Sequence, residues 1–237
     1  MPLGNHGDIL TPKFLDTLHP YTEVAINGND MSHPNLVPFL KMMKEKKVIV
    51  NLTVNQIHFE YELEFIRTLA EQKLINGIGV SLNNPTPEFI EKFKEFQNGV
   101  LHVINGLITK EDFEVLNDND LKILILGYKR LKRGEKYYEE HKAEIEERQK
   151  WLYENLADLS KRFKVVSFDN LAIEQLEVSR LVTPEEWEEM YMGDDGDFTF
   201  YIDLVDQTFA QDSMSQIKYP LLDSVDEMFK VIRENKK

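Results

Sequence analysis

The sequence predicts an α/β fold with a mainly parallel sheet, and three observations predict it. Short apolar, β-branched runs recur along the chain, stretches of helical period separate them, and polar turn residues follow most of the runs. Strands that alternate with helices form right-handed βαβ units. At 237 residues the chain is long enough to bury one substantial core.

The first strand is expected at Thr22–Ile26, ending in the turn Asn27-Gly28-Asn29-Asp30. A helix from His33 to about Lys46 follows, with Pro34 in its first turn and Leu36, Phe39, Leu40 and Met43 at helical spacing. Val48–Val54 is the second strand, and Phe59–Leu74 reads as an amphipathic helix through Leu63, Phe65, Ile66 and Leu69. Gly77–Leu82 leads through Asn83-Asn84-Pro85 into a helix at Thr86–Phe96, with Pro87 near its start. Val100–Ile104 precedes a helix at Thr109–Leu116, whose Thr109 and Asp112 have the spacing of a capping box. Lys122–Leu126 and Lys164–Phe168 are further strands, and a long charged helix from about Gly134 to Arg162 separates them.

The last sixty or so residues change character. Thr183 caps a short helix to Met190 with Pro184 at its first position. Phe198–Val205 and Thr208–Ala210 suggest a β-hairpin, and Ser224–Asn235 a closing helix. We read residues 1–180 as the repeating strand–helix body and residues 181–237 as a section appended to the same domain.

The formal net charge is −14, from 42 acidic and 28 basic residues, so the average field repels a phosphate backbone and argues against nucleic-acid binding. No apolar run reaches bilayer length, and MPLGNHGDIL has neither the basic start nor the apolar core of a signal peptide. A cytoplasmic location without membrane partners is the expectation. With no cysteine, the chain offers no disulfide, thiolate ligand or cysteine nucleophile.

In parallel α/β proteins ligands bind where strand ends feed into helices. Those positions hold Asn27, Gly28, Asn29 and Asp30; Thr53, Asn55 and Gln56; Ser81, Asn83 and Asn84; Asn105; Gly127, Tyr128 and Lys129; and Asp169 and Asn170. The set is rich in amides, and only Asp30, His33, His58 and Asp169 are candidate metal ligands, so it suits hydrogen bonding to a polar organic ligand better than a hydrolytic metal.

The stretch EVAINGNDMSHPNLVPFLKMMKEKKVIVNLTVNQ resembles the second and third strands of radical SAM enzymes, where a Gly-Gly-acidic-Pro type turn precedes a helix beginning His-Pro. Here the turn is Asn27-Gly28-Asn29-Asp30-Met31, with one glycine kept and the closing proline absent. The resemblance continues through GIGVSLNNPTPEFIEKF and HVINGLIT to KILILGYKRLKRG, about half the chain. It implies a partial TIM-like (β/α) barrel with a C-terminal hairpin and helix. The family's strands would begin at Thr22, Val48, Gly77, Val100 and Lys122, with Lys164–Phe168 as an addition. The resemblance also implies an S-adenosylmethionine pocket. Asn27, Gly28 and Asn29 would face the methionine amino group. Thr53, Asn55, Ser81 and Asn83 would lie by the ribose and carboxylate, and Asn105, Gly127 and Tyr128 by the adenine.

The family's reaction also needs a CxxxCxxC loop holding a [4Fe–4S] cluster, and this chain has neither those cysteines nor an evident first strand, only a helix at Thr11–Leu18 before Thr22. The expectation is therefore a catalytically inactive protein without the cluster: a truncated or split form, whose missing N-terminal segment or a protein partner would cover the edge of the first strand, or a cluster-free remnant of a SAM-dependent radical enzyme. The alternative is an accessory protein that uses the scaffold to hold a partner. A third reading, an unrelated TIM-like enzyme using Asp30 and Asp169, lacks a fixed carboxylate pair.

Plainer readings stand beside these. Gly28 serves as a turn residue, Asn83-Asn84-Pro85 as a cap, and His33 and His58 as capping or surface histidines. The basic run Lys129-Arg130-Leu131-Lys132-Arg133 reads as a solvated loop, and Asp194-Asp195-Gly196-Asp197 as a turn without EF-hand spacing. Phe198, Phe200 and Tyr201 read as packing, with Trp151 and Trp187 as helix anchors.

Overall fold

The computed structural model describes residues 7–27, 31, 33–131 and 133–236. Six strands form one sheet: β1 (Glu23–Asn27), β2 (Ile49–Asn55), β3 (Gly77–Ser81), β4 (Gly99–Ile104), β5 (Lys122–Leu126) and β6 (Val165–Phe168). Their spatial order is their chain order, every pairing is parallel, and β1 and β6 are the two edges. The sheet is α/β as expected, and among the described residues it is not closed into a barrel.

Alternation along the strands separates two faces. Val50, Leu52 and Val54 of β2, Ile78 and Val80 of β3, Leu101 and Val103 of β4, and Ile123 and Ile125 of β5 are buried. They share one core with the connecting helices α1 (Leu36–Glu45), α2 (Gln56–Tyr61), α3 (Leu63–Glu71), α4 (Pro87–Phe93), α5 (Lys110–Leu116) and α6 (Arg133–Leu159). Phe59 sits at the centre, with its ring 5.6 Å from Phe89 and 5.9 Å from Phe93.

Several local expectations change. The helix read from His33 begins at Leu36, so Pro38 rather than Pro34 occupies its first turn, where a missing N–H costs nothing. The helix read as Phe59–Leu74 is two: Asn55 starts α2 earlier by capping it, and Glu62 interrupts the run with non-helical backbone. Thr11–Leu18 is a 3-10 turn over Lys13–Thr17. The long helix starts at Arg133, ends at Leu159 and breaks at His141 (φ −127°, ψ 23°). Ion pairs one turn apart, Lys142–Glu146 and Lys150–Glu154, line its solvent side, while Ile145, Leu152, Leu156 and Leu159 are its buried stripe.

An unanticipated helix, α7 (Asn170–Leu176), follows β6, and Val178–Leu181 is a 3-10 turn before α8 (Pro184–Met190). The predicted hairpin is the core of a three-stranded antiparallel sheet: β7 (Tyr201–Asp203), β8 (Thr208–Ala210) and β9 (Tyr219–Pro220). Phe198 lies before β7 and is exposed, contrary to its reading as packing. The closing helix α9 (Val225–Asn235) lies against the Lys13–Thr17 turn: Val225 N donates to Thr17 Oγ1 at 3.0 Å, and Lys13 pairs with Asp223 at 2.9 Å. Phe209, Val225, Met228 and Ile232 join the same core as Phe14 and Leu15. Among the described residues no helix is long and apolar enough to cross a membrane.

Candidate functional site: the carboxyl edge and the helix-free face of the sheet

Strand register sets the residues that face away from the helices into transverse rows. Asn55, Ser81, His102, Leu124 and Ser167 are mutual neighbours across β2 to β6. Asn27 pairs with Thr53, Thr53 with Gly79, and Gly79 with Val100 in the row below. These positions are polar or small toward β2 and β3, and more apolar toward β5.

β3 has little bulk on this face, and its neighbours lean across it. A methyl group on Gly79 would lie 2.6 Å from His102 Cε1 and 3.0 Å from Thr53 Oγ1. One on Gly77 would meet Asn51 Oδ1 at 2.7 Å. The His102 imidazole therefore lies over Gly79 toward Thr53. Burial holds its pKa below the ordinary 6.5, so the ring is neutral at pH 7. His102 was not among the residues singled out from sequence, although alternation with buried Leu101 and Val103 assigns it to this face.

The strand ends are tied to one another. Gln56 Oε1 accepts from the Asn83 and Asn84 N–H groups at 3.1 and 3.0 Å, and its Nε2 donates to Asn84 O at 2.7 Å. This amide, only 4% exposed, fastens the β3–α4 loop to the β2–α2 junction. Asn83 itself is exposed and contributes its backbone. Asn55 Oδ1 accepts from His58 N at 2.8 Å, so its amide caps α2.

A second knot joins β4, β5 and α7. Asn105 Nδ2 donates to Gln175 Oε1 at 3.0 Å; the same oxygen accepts from Tyr128 N at 2.9 Å, and Gln175 Nε2 returns to Tyr128 O at 3.0 Å. Asn105 is 1% exposed and its Oδ1 has no partner. Asp169 Oδ1 accepts from Gly127 N and from Ala172 N, both at 2.8 Å, so it closes the end of β5 and caps α7. Leu171 occupies the space beside Gly127, where an added methyl would collide with its Cγ. Tyr128 is buried, donates its hydroxyl to Gly134 O at 2.9 Å and packs against Tyr138.

The expected pocket residues thus divide. Thr53 and Ser81 line the helix-free face beside His102. Asn55, Asn105, Gly127 and Tyr128 spend their groups on the protein itself, and Asn83 stands outside. Gly28 and Asn29 lie outside the described residues, as do Asp30 and the side chain of Asn27. Sequence reasoning missed Gln175 because α7 went unseen.

A [4Fe–4S] cluster needs thiolates, and the chain has none. Among the described residues no group of three or more His, Asp or Glu side chains could hold a metal ion. The Asp194–Asp197 turn is instead braced internally: Asp197 pairs with Lys236 at 2.7 Å, and Asp195 accepts from Asn170 at 3.0 Å. Burial, then the Asp212 charge, raises the Asp195 pKa. The basic loop is half committed, with Lys129 Nζ donating to Ser213 at 3.3 Å and Arg130 lying 3.5 Å over the Tyr138 ring. Lys132 lies outside the described residues.

Fold and site together define an α/β protein with a sequentially ordered parallel sheet and an amide-rich carboxyl edge. No family model, curated protein or solved structure matches the chain.

Proposed function

We propose that this chain is a radical SAM-like scaffold, a partial TIM-like barrel that binds S-adenosylmethionine or a nucleoside of similar polarity without radical chemistry on its own residues. The observation that carries the reading is the sheet order. Six parallel strands in chain order gather their connecting helices on one face. The other face carries Thr53 and Gly79 in one row and Ser81 and His102 in the next, outside the core that those helices share with the sheet. Hydroxyls and a neutral imidazole there suit ribose hydroxyls and a carboxylate.

Calorimetric titration with S-adenosylmethionine tests this, alongside a Thr53→Val/Ser81→Ala variant that removes both hydroxyls without adding bulk. Saturable binding that weakens about tenfold in the variant is the expected outcome, in line with the loss of hydrogen bonds to a bound polar ligand. No heat with the wild-type chain would remove the cofactor from the reading.

A second reading, a cluster-free accessory protein, is favoured by Gly127 and Tyr128. Leu171 and the Tyr138 ring fill the places an adenine would take beside them. Under either reading β1 is an edge strand with exposed Glu23 and Ala25, and a partner strand could add to it.

A further inference from the structure

A surface that adjoins the end of β6, through the bond from Asn170 to Asp195, has a composition of its own. Between Thr183 and Phe198 the chain carries seven carboxylates and no lysine or arginine, which is half of the formal net charge of −14. The same segment exposes large apolar side chains: Met190 is 66% exposed, Met192 75% and Phe198 70%. Trp187 and Tyr191 stack beside them with centroids 4.8 Å apart and planes at 13°. The Phe198 ring reaches back to Gly193, within 3.2 Å of where a Cβ would stand, so it shares this surface with Met192.

The arrangement is ordered. α8 buries no residue, yet a full capping box holds it: Glu186 N donates to Thr183 Oγ1 at 3.2 Å, and Glu186 Oε2 accepts from Thr183 N at 2.8 Å. Helical spacing puts Trp187, Met190 and Tyr191 on one side, and Glu185, Glu188 and Glu189 on the other. Lys236 occupies Asp194 and Asp197. Glu185, Glu188 and Glu189 make no ion pair among the described residues.

We propose that α8 and the turn after it dock a cationic, amphipathic segment of another polypeptide. Apolar exposure alone would also suit a second copy of this chain. Charge decides between them, because a second copy would bring an equal negative field within a Debye length of this one. A lysine- or arginine-rich helix supplies the opposite field. Its aliphatic stems cover methionine, its guanidinium groups stack on Trp187 or Tyr191, and its apolar side meets the adaptable Met190 and Met192. This docking does not depend on cofactor binding at the sheet.

Fluorescence anisotropy with a labelled lysine–leucine amphipathic helical peptide tests it on the full chain. The M190S/M192S/F198S variant is expected to weaken binding about tenfold, as loss of an apolar anchor does. The E185Q/E188Q/E189Q variant is expected to slow association and flatten its salt dependence. A control, E139Q/E140Q/E147Q, removes equal charge from exposed positions of α6 and should bind as the wild type does. All these positions are exposed, so unchanged thermal melting accompanies each result. Equal loss in the control, or none in the apolar variant, overturns the proposal. So does self-association in sedimentation that M190S/M192S/F198S abolishes, which would make the occupant a second copy.

Discussion

At the scale of single residues, His102 links fold to pH. Burial alone lowers its pKa; no charged neighbour contributes. Between the depressed folded value and the unfolded 6.5, the unfolded chain binds more protons, so stability rises with pH across that window and is lost as pH falls through it. His102→Gln removes the titration while keeping a polar side chain over Gly79. Urea unfolding at mildly acidic and at neutral pH should show a smaller difference in the variant than in the wild type. An identical difference in both would mean that His102 is hydrated in the folded state.

Legibility in the sequence also differs residue by residue. The face of His102 was readable, since alternation needs only its two neighbours. The Gln56 bonds were not, because their partners lie 27 and 28 positions on, and only the pairing of β2 with β3 brings them together. Likewise Asn105 looked available as the end of a strand, but Gln175, 70 positions away, claims its amide.

At the scale of elements, two helices carry the same cap and should respond differently to its loss. Thr109 and Asp112 close α5 as Thr183 and Glu186 close α8. α5 buries Phe113 and Leu116, whereas α8 buries no residue fully and packs only Trp187, partly covered, against the core. Removing a threonine cap costs about 1 kcal/mol of helix stability. In Thr109→Ala that loss should appear in global unfolding, because α5 opens only with the core. In Thr183→Ala it should appear as faster amide exchange confined to α8, with the unfolding midpoint nearly unchanged. A comparable midpoint shift in both would show that α8 unfolds with the body. The six strands of the main sheet were legible because β-branched runs are strong local signals. α7 and β9 were not: seven residues span barely two helical turns, and two residues show no period.

At the scale of the whole molecule, the question is whether residues 181–237 stand apart from the strand–helix body. Their composition suggests an appendage, but their packing ties them in: Met228 and Ile232 of α9 share one core with Phe14, Leu15 and the sheet. The tie runs through the segment before β1, where Thr17 accepts the first N–H of α9 and Lys46 at the end of α1 pairs with Asp16 at 2.9 Å. Buried Met228 is therefore a test of cooperativity. Met228→Ala should cost about 2–5 kcal/mol, the range for a large-to-small change in a packed core. If the chain is one folding unit, that loss shifts a single transition, seen alike by far-ultraviolet circular dichroism and by fluorescence of Trp151 on α6 and Trp187 on α8. Should fluorescence instead shift ahead of circular dichroism, α9 and the small sheet would be melting off a body that stands without them. The helix-free face of the parallel sheet would then be a property of residues 1–180 alone.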